Sequence, residues 1–158
     1  MKNVEVIDWK SYSFEQLDLQ LFHDIVALRI AVFVVEQNCP YQELDGKDVH
    51  SMHVVGTTEN NEIVALARIV PPKYDYNIPS IGRVIVNEKF RSFGYGHDLM
   101  RECVHIAMEK FGMVDIHLSA QAHLEQFYAS HGFESTGKTY LEDGIPHVEM
   151  IKKQLNNL

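Results

Sequence analysis

The run Val84-Ile85-Val86-Asn87-Glu88-Lys89-Phe90-Arg91-Ser92-Phe93-Gly94-Tyr95-Gly96-His97 is where residue types and spacing offer chemistry most clearly. A β-rich segment leads into a loop with one arginine and two spaced glycines, and a helical pattern follows at once. Glycine lets a backbone approach a ligand closely, and the first amides of a helix have no intrahelical acceptor. With the positive end of the helix dipole they make an anion site suited to phosphate, to which Arg91 adds a charge-assisted contact. The same residues also fit a plain glycine turn before a buried helix, so taken alone they leave two readings open. Other phosphate cradles fit worse. No G-x-x-x-x-G-K-S/T occurs, and the third glycine of a dinucleotide fingerprint is replaced around His97 and Leu99.

Two cysteines, Cys39 and Cys103, show no C-x-x-C spacing and read as a reduced pair rather than a disulfide. Of the nine histidines only His50 and His53 lie close together near acidic residues, too few ligands for zinc, so no metal is expected. The chain carries 14 Lys and Arg against 22 Asp and Glu, a formal charge of -8. That field argues against binding nucleic acid through its phosphates. It favours a cationic partner such as an amine, although an acidic solvated surface gives the same balance.

At 158 residues, with 46% hydrophobic and 23% charged residues, the chain reads as a single domain over 1–158 with a core of its own. It is too apolar for disorder, and no apolar run approaches the roughly 18 residues that span a bilayer. Its first residues lack the apolar stretch of a secretory signal, so a cytoplasmic location away from membranes is expected.

The elements that must position the chemistry follow from periodicity. Residues 4–9 read as an opening strand. Ser13-Phe14-Glu15-Gln16 matches a capping box, and Phe14, Leu17, Leu21, Ile25, Leu28 and Val32 continue as one apolar stripe, predicting a helix that ends near Val34. The acidic run 41–48 reads as a loop. Residues 53–58 and 63–70 predict a hairpin about Asn60-Asn61, and residues 80–86 a further strand. A second helix is expected from Gly94 or Gly96 to Gly112, then a strand over 114–120, a short helix over 123–130, and strands over 133–138 and 147–152 joined through Glu142-Asp143-Gly144. The order is an α/β (α+β) arrangement: a mixed, mainly antiparallel sheet flanked by helices, with one parallel step late in the chain.

Val84-x-Val86 followed by Arg91-x-x-Gly94-x-Gly96 resembles the pyrophosphate-binding motif of the GNAT acyltransferases, which bind acetyl-CoA. Phe127-Tyr128-Ala129-Ser130-His131-Gly132-Phe133 is similar to the F-Y-x-x-x-G-F signature of that superfamily. The element order matches as well, so the likeness spans nearly the whole chain. The runs 29–41, with Glu36-Gln37-Asn38-Cys39-Pro40-Tyr41, and 82–86, 120–123 and 142–147 together resemble its ElaA-type branch. One position departs from the general pattern: Gln121 stands where many members carry Asn, seven residues before the tyrosine.

The resemblance implies an N-acetyltransferase in which an acceptor amine attacks the acetyl-CoA thioester directly. The backbone of Val84, Ile85 and Val86 would hold the pantetheine arm and offer an N–H to the developing oxyanion. Arg91, Ser92, Phe93, Gly94, Tyr95, Gly96 and His97 would hold the pyrophosphate, and Gln121 would bond the pantetheine or order the helix start. Tyr128 would protonate the leaving thiolate as general acid. The base would be one of Glu36, Glu43, Asp45, His53 and His147, with Glu36 and His147 ranked first because they sit in the branch-specific runs. Each has a plain structural alternative: a tyrosine at the core edge, a solvated helix end, a charged loop, a hydrogen-bonded strand histidine. Cys39 reads as structural, since direct transfer needs no nucleophile. The acceptor stays open among a small amine, an amino-acid derivative, a peptide N-terminus and a protein lysine, and a homodimer is compatible. Two other readings share some of these residues: a non-catalytic acyl-CoA-binding sensor, and a protein-interaction module using the acidic loop around Asp45.

Overall fold

Apolar alternation and turn chemistry do most of the local work. In a computed structural model, which describes residues 5–154, they give β1 (Asp8–Tyr12), α1 (Leu19–Arg29), β2 (Met52–Thr57), β3 (Ile63–Val70), β4 (Ser80–Val86), α2 (Tyr95–Phe111), β5 (Ile116–Gln121), α3 (Glu125–Ala129), β6 (Phe133–Glu142) and β7 (Ile145–Lys152). The strands form one seven-stranded sheet in the order β1-β2-β3-β4-β5-β7-β6. Neighbours are antiparallel except β4 and β5, which are parallel. This is the mixed, mainly antiparallel sheet expected, with its single parallel step at the α2 crossover. Every residue of β3 is buried, because helices cover both faces at the centre of the sheet. Val64, Ala65, Ala67 and Ile69 pack with Leu99, Met100, Cys103 and Ala107 of α2 on one face. Ile63 and Leu66, with Val55 and Ile85, meet Ile25 of α1 on the other. Among the described residues no helix is long and apolar enough to cross a membrane.

Three elements differ from the expectation. The opening strand forms at Asp8–Tyr12 rather than over 4–9, and Val4 lies outside the described residues. The placement is tertiary: Trp9 sits opposite Gly56 in β2, where an added Cβ would come within 2.6 Å of its ring. The first helix is not continuous from the capping box. Gln16 Oε1 accepts the Ser13 N–H at 2.9 Å, but closes only the 3-10 turn Phe14–Gln16. A new helix then starts at Asp18, whose carboxylate accepts the Leu21 N–H at 2.7 Å. It widens at Ile30–Glu36 into a π-helical segment, a geometry found disproportionately at functional sites. The β6–β7 hairpin turns through Asp143 and Gly144, both at positive φ (50° and 78°), and β6 runs to Glu142, beyond the expected residue 138.

Candidate active site

The parallel step leaves a gap. β4 and β5 pair only at Ser80↔His117 and Ile81↔Leu118, and beyond that point the β5-side edge of residues 82–86 has no strand neighbour. The cause lies on the other edge of β4. Arg83 and Val84 together oppose Ala67 of β3, a bulge in which Arg83 takes a left-handed φ of 53°. An extra residue bends and twists a strand, so β4 turns away from β5 where the bulge begins. Val84 and Val86 then face the α2 side of the sheet, and Ile85 is buried under α1.

The Arg91–His97 turn lies directly beyond. Gly94 caps α2 at φ 84°, after Ser92 at φ 71°. The first hydrogen bonds of the turn run from the His97 and Asp98 amides to the Gly94 carbonyl, at 3.1 and 3.4 Å. The amides of Tyr95 and Gly96 precede them, the geometry of an anion-binding helix start. Gly96 also permits close packing, since a Cβ there would lie 3.3 Å from Phe127. The side chain of Tyr95 faces inward: it is buried, its hydroxyl accepts the Glu5 N–H at 3.2 Å, and Phe93 stacks on its ring. His97 Nδ1 lies 2.8 Å from His131 Nε2.

Arg91 is already engaged. Its Nε donates to the Val86 carbonyl at 2.9 Å, and its two terminal nitrogens hold Glu36 at 2.9 and 3.1 Å. Both side chains are about 40% exposed (40% and 39%), so the pair is worth roughly 0–1 kcal/mol and opens easily. The expected base Glu36 is thus paired across the expected phosphate arginine. His147 sits opposite Gln121 on β7. Its Nδ1 lies 2.7 Å from the Ile145 carbonyl, its Nε2 3.2 Å from Glu142, and its ring stacks on Tyr140. Gln121 donates to Gln37 at 3.3 Å, linking the end of β5 to the end of the π-helical segment. Tyr128 lies on the opposite face of the sheet from His147. It packs with Phe127, Phe133, Leu118 and Ala120 in the core under α2, whereas the neighbours of His147 on β7, Val148 and Met150, point that way in its place. Burial, then the proximity of Cys103, raises the Tyr128 pKa, so its phenol stays protonated throughout the physiological range.

The remaining base candidates are locked in a buried ionic network. Arg29, 1% exposed, binds Glu43 at 2.6 Å and Asp48 at 2.7 Å. Arg68 holds Asp45 at 2.6 Å and Asp48 at 3.1 Å, and Arg83 reaches Glu43 at 2.9 Å. Tyr41 donates to the second Glu43 oxygen. Burial works to raise the Asp45 and Asp48 pKa values, but hydrogen bonds and charge from the arginines overcome it and hold both well below the ordinary range. Within the acidic run 41–48 the carboxylates of Glu43 and Asp48 are therefore buried and paired rather than solvated, while Asp45 is held by Arg68 nearer the surface. His53 is buried with Nε2 2.9 Å from the Asp48 carbonyl. Cys39 and Cys103 are unpaired and buried, and Cys39 Sγ donates to the Asp143 carbonyl.

These histidines make stability depend on pH. Burial lowers the pKa of His53 and of His117, against the opposing pull of Asp48 and Glu149. Below about pH 6.5 the unfolded chain takes up protons that the folded one refuses, so stability present above that pH is lost as pH falls, by at most about 1.4 kcal/mol per histidine per unit. The lowered aspartates add a further loss only below about pH 4. Urea midpoints at pH 7.5, 6.5 and 5.5 should fall in that order, and a level series would show that neither histidine is buried neutral.

Sequence reasoning did not find the arginine network, the Glu36–Arg91 pair, or the second polar wall made by Tyr76, His117, Ser119, Tyr140 and Glu149. A signal for the wall was present: His117, Ser119 and Gln121 alternate with Ile116, Leu118 and Ala120, which marks a strand whose polar face is not core.

Residues 13–154 match the acetyltransferase (GNAT) domain family. The chain is 40% identical to the ElaA protein of Escherichia coli over 150 residues, covering 94% of this chain and 97% of that one. The crystal structure of E. coli ElaA superposes with a TM-score of 0.87, covering 94% of this chain and 100% of that one at 39% identity. The crystal structure of an acyl-CoA N-acyltransferase from Pseudomonas aeruginosa gives a TM-score of 0.88 at 36% identity, covering 93% and 99%.

Proposed function

Because the chain belongs to the GNAT acetyltransferase family, we propose that it transfers an acetyl group from acetyl-CoA to an amine by direct attack on the thioester. The reading rests above all on one juxtaposition: the unpaired edge of β4 runs straight into the bare amides at the start of α2. A pantetheine arm laid along Val84, Ile85 and Val86 would replace the missing strand, and its pyrophosphate would meet the Tyr95 and Gly96 amides with Arg91 beside them. An N–H of the β4 edge would then face the thioester oxygen as it gains charge.

The gap between β4 and β5 connects the two faces of the sheet, which suits a donor entering from the α2 side and an acceptor from the other. The acceptor nitrogen forms its bond to the acetyl carbon as the carbon–sulfur bond breaks, and the second proton it sheds on becoming an amide returns through solvent to Tyr128. CoA leaves as a thiolate with a solution pKa near ~8.5, taking a proton from Tyr128. The burial that keeps the proton on Tyr128 also disfavours a bare thiolate beside it. His147, on the acceptor face, removes the ammonium proton directly or through water at Nε2, once the exposed Glu142 carboxylate moves off that nitrogen. Glu36 is assigned instead to holding Arg91. A cytoplasmic location is part of the same proposal, supported by two buried thiols left unpaired.

The roles of Glu36 and His147 separate by substitution. Glu36→Gln frees Arg91 for phosphate and should tighten acetyl-CoA binding by up to about 5-fold, the scale of an exposed pair, while turnover changes by no more than about 3-fold. Turnover lowered by about 30-fold or more, the scale of a lost general base, would give that role to Glu36. For the reaction itself, acetyl-CoA consumption is measured across amine and peptide libraries. Binding of acetyl-CoA without consumption with any acceptor would favour a sensor instead.

A further inference from the structure

Resting on that acyltransferase reading, we propose that the acceptor is an amine carrying a second positive charge, seated on the carboxylate of Glu149 between the rings of Tyr76 and Tyr140.

α1 covers the face of β2, β3 and β4, through Val55, Ile63, Leu66 and Ile85, and leaves the same face of β5 and β7 without a helix. On that half the outward residues are His117, Ser119 and Gln121 of β5 and His147 and Glu149 of β7, with Glu149 opposite Ser119. They are organised as a wall. Tyr76 stacks on His117 with ring centres 3.7 Å apart. His117 is fixed at Nδ1 by the Ser80 hydroxyl at 2.8 Å and lies 3.3 Å from one Glu149 oxygen, while the Thr136 hydroxyl donates to the other at 3.1 Å. Tyr140 bonds Ser119 through its hydroxyl and stacks on His147.

The charge of Glu149 sets it apart. Glu43, Asp45 and Asp48 are each neutralised by arginine. Glu149 is only 18% exposed, yet among the described residues it has no arginine or lysine partner, and its neighbour His117 is held neutral by burial. A half-buried carboxylate without a countercharge attracts one. Its field reaches both rings: after burial, Glu149 and Glu142 are among the groups that raise the Tyr76 and Tyr140 pKa values, joined at Tyr76 by Asp75. Lys138, whose Nζ lies 5.7 Å from the Tyr140 ring, is the one cation over that wall among the described residues, and it pairs with none of these carboxylates. Aromatic faces beside a carboxylate bind ammonium or guanidinium well. Glu149 and His147 are two residues apart on one strand, about 7 Å, so a charge held at Glu149 leaves the reacting nitrogen near His147 in a short linear diamine or a lysine-like chain.

The test compares 1,5-diaminopentane with 1-aminopentane as acceptors, in kcat/KM, for the wild type, Glu149→Gln and the exposed α2 control Glu109→Gln. The wild type and the control should prefer the diamine by about 10- to 100-fold, mostly through KM, the worth of one charge-assisted contact. Glu149→Gln should bring that ratio near one, with acetyl-CoA affinity by calorimetry within about 3-fold. Equal use of both amines by the wild type, or a preference that survives Glu149→Gln, would overturn the proposal. If neither amine is acetylated, the transfer reading is judged by the acceptor libraries instead. Calorimetry of the two amines on CoA-loaded protein then decides: heat from the diamine alone, lost in Glu149→Gln, supports the subsite, and no heat from the diamine overturns it.

Discussion

Gly94→Asp should weaken acetyl-CoA binding by about 100-fold or more in calorimetry. Gly94 sits at φ 84°, where a side chain is strained, yet a Cβ built there meets nothing within 4 Å. A clash therefore does not explain the loss. The new carboxylate would stand beside the Tyr95 and Gly96 amides, satisfy them from within, and repel a diphosphate, removing charge-assisted contacts worth roughly 1.5–3 kcal/mol each. Gly94→Ala separates charge from strain. It carries the left-handed penalty of about 1–2 kcal/mol in fold stability but brings no anion, so it should bind far better than the aspartate. Gly96→Asp should be as damaging to binding, with crowding against Phe127 added. Affinity within about 3-fold of the wild type in Gly94→Asp would remove the phosphate from this turn, and the donor site with it.

Tyr128→Phe should lower turnover by about 100-fold or more, the usual contribution of a positioned general acid, with acetyl-CoA affinity nearly unchanged. Few substitutions separate chemistry from folding so well. The ring packs against Phe127 and Phe133, and phenylalanine keeps those contacts. The hydroxyl has no hydrogen-bond partner among the described residues, so its removal leaves no orphaned group and stability should hold or rise slightly. Because burial holds the phenol protonated, the alkaline limb of the wild-type rate profile should not report a normal tyrosine near pH ~10. Equal turnover by the two proteins would return Tyr128 to a core role and leave the thiolate to solvent.

Both substitutions probe the α2 side of the sheet, and away from that side the acidic run misleads. Read along the chain, Glu43, Asp45 and Asp48 form a hydrophilic loop, a fair guess when charge is judged by its neighbours. Folded, they meet Arg29, Arg68 and Arg83, residues 14 to 40 positions away, and become an interior countercharge under the β4 bulge. Arg83 spans Phe33 and Tyr41 as it does so. Removing an arginine partner here leaves a buried charge unpaired, which is why the network reads as scaffold for the bulge rather than as reactive groups.

The sequence by itself determined the strands after the first, the α2 helix with its glycine-bearing start and the Asp143-Gly144 turn, and the apolar stripe of the first helix though not its break after Gln16. Each of these depends on residues within a few positions of one another, through hydrophobic period or left-handed φ. It also carried the family, because the motifs of the donor site are contiguous. Only the tertiary structure decided that β4 parts from β5 at Arg83, that Glu36 sits on Arg91 from 55 residues away, and that Glu149 is left without a cation among the described residues. Those outcomes depend on strand register and on which side chains meet across the sheet, and a period read along one segment holds no record of its partner.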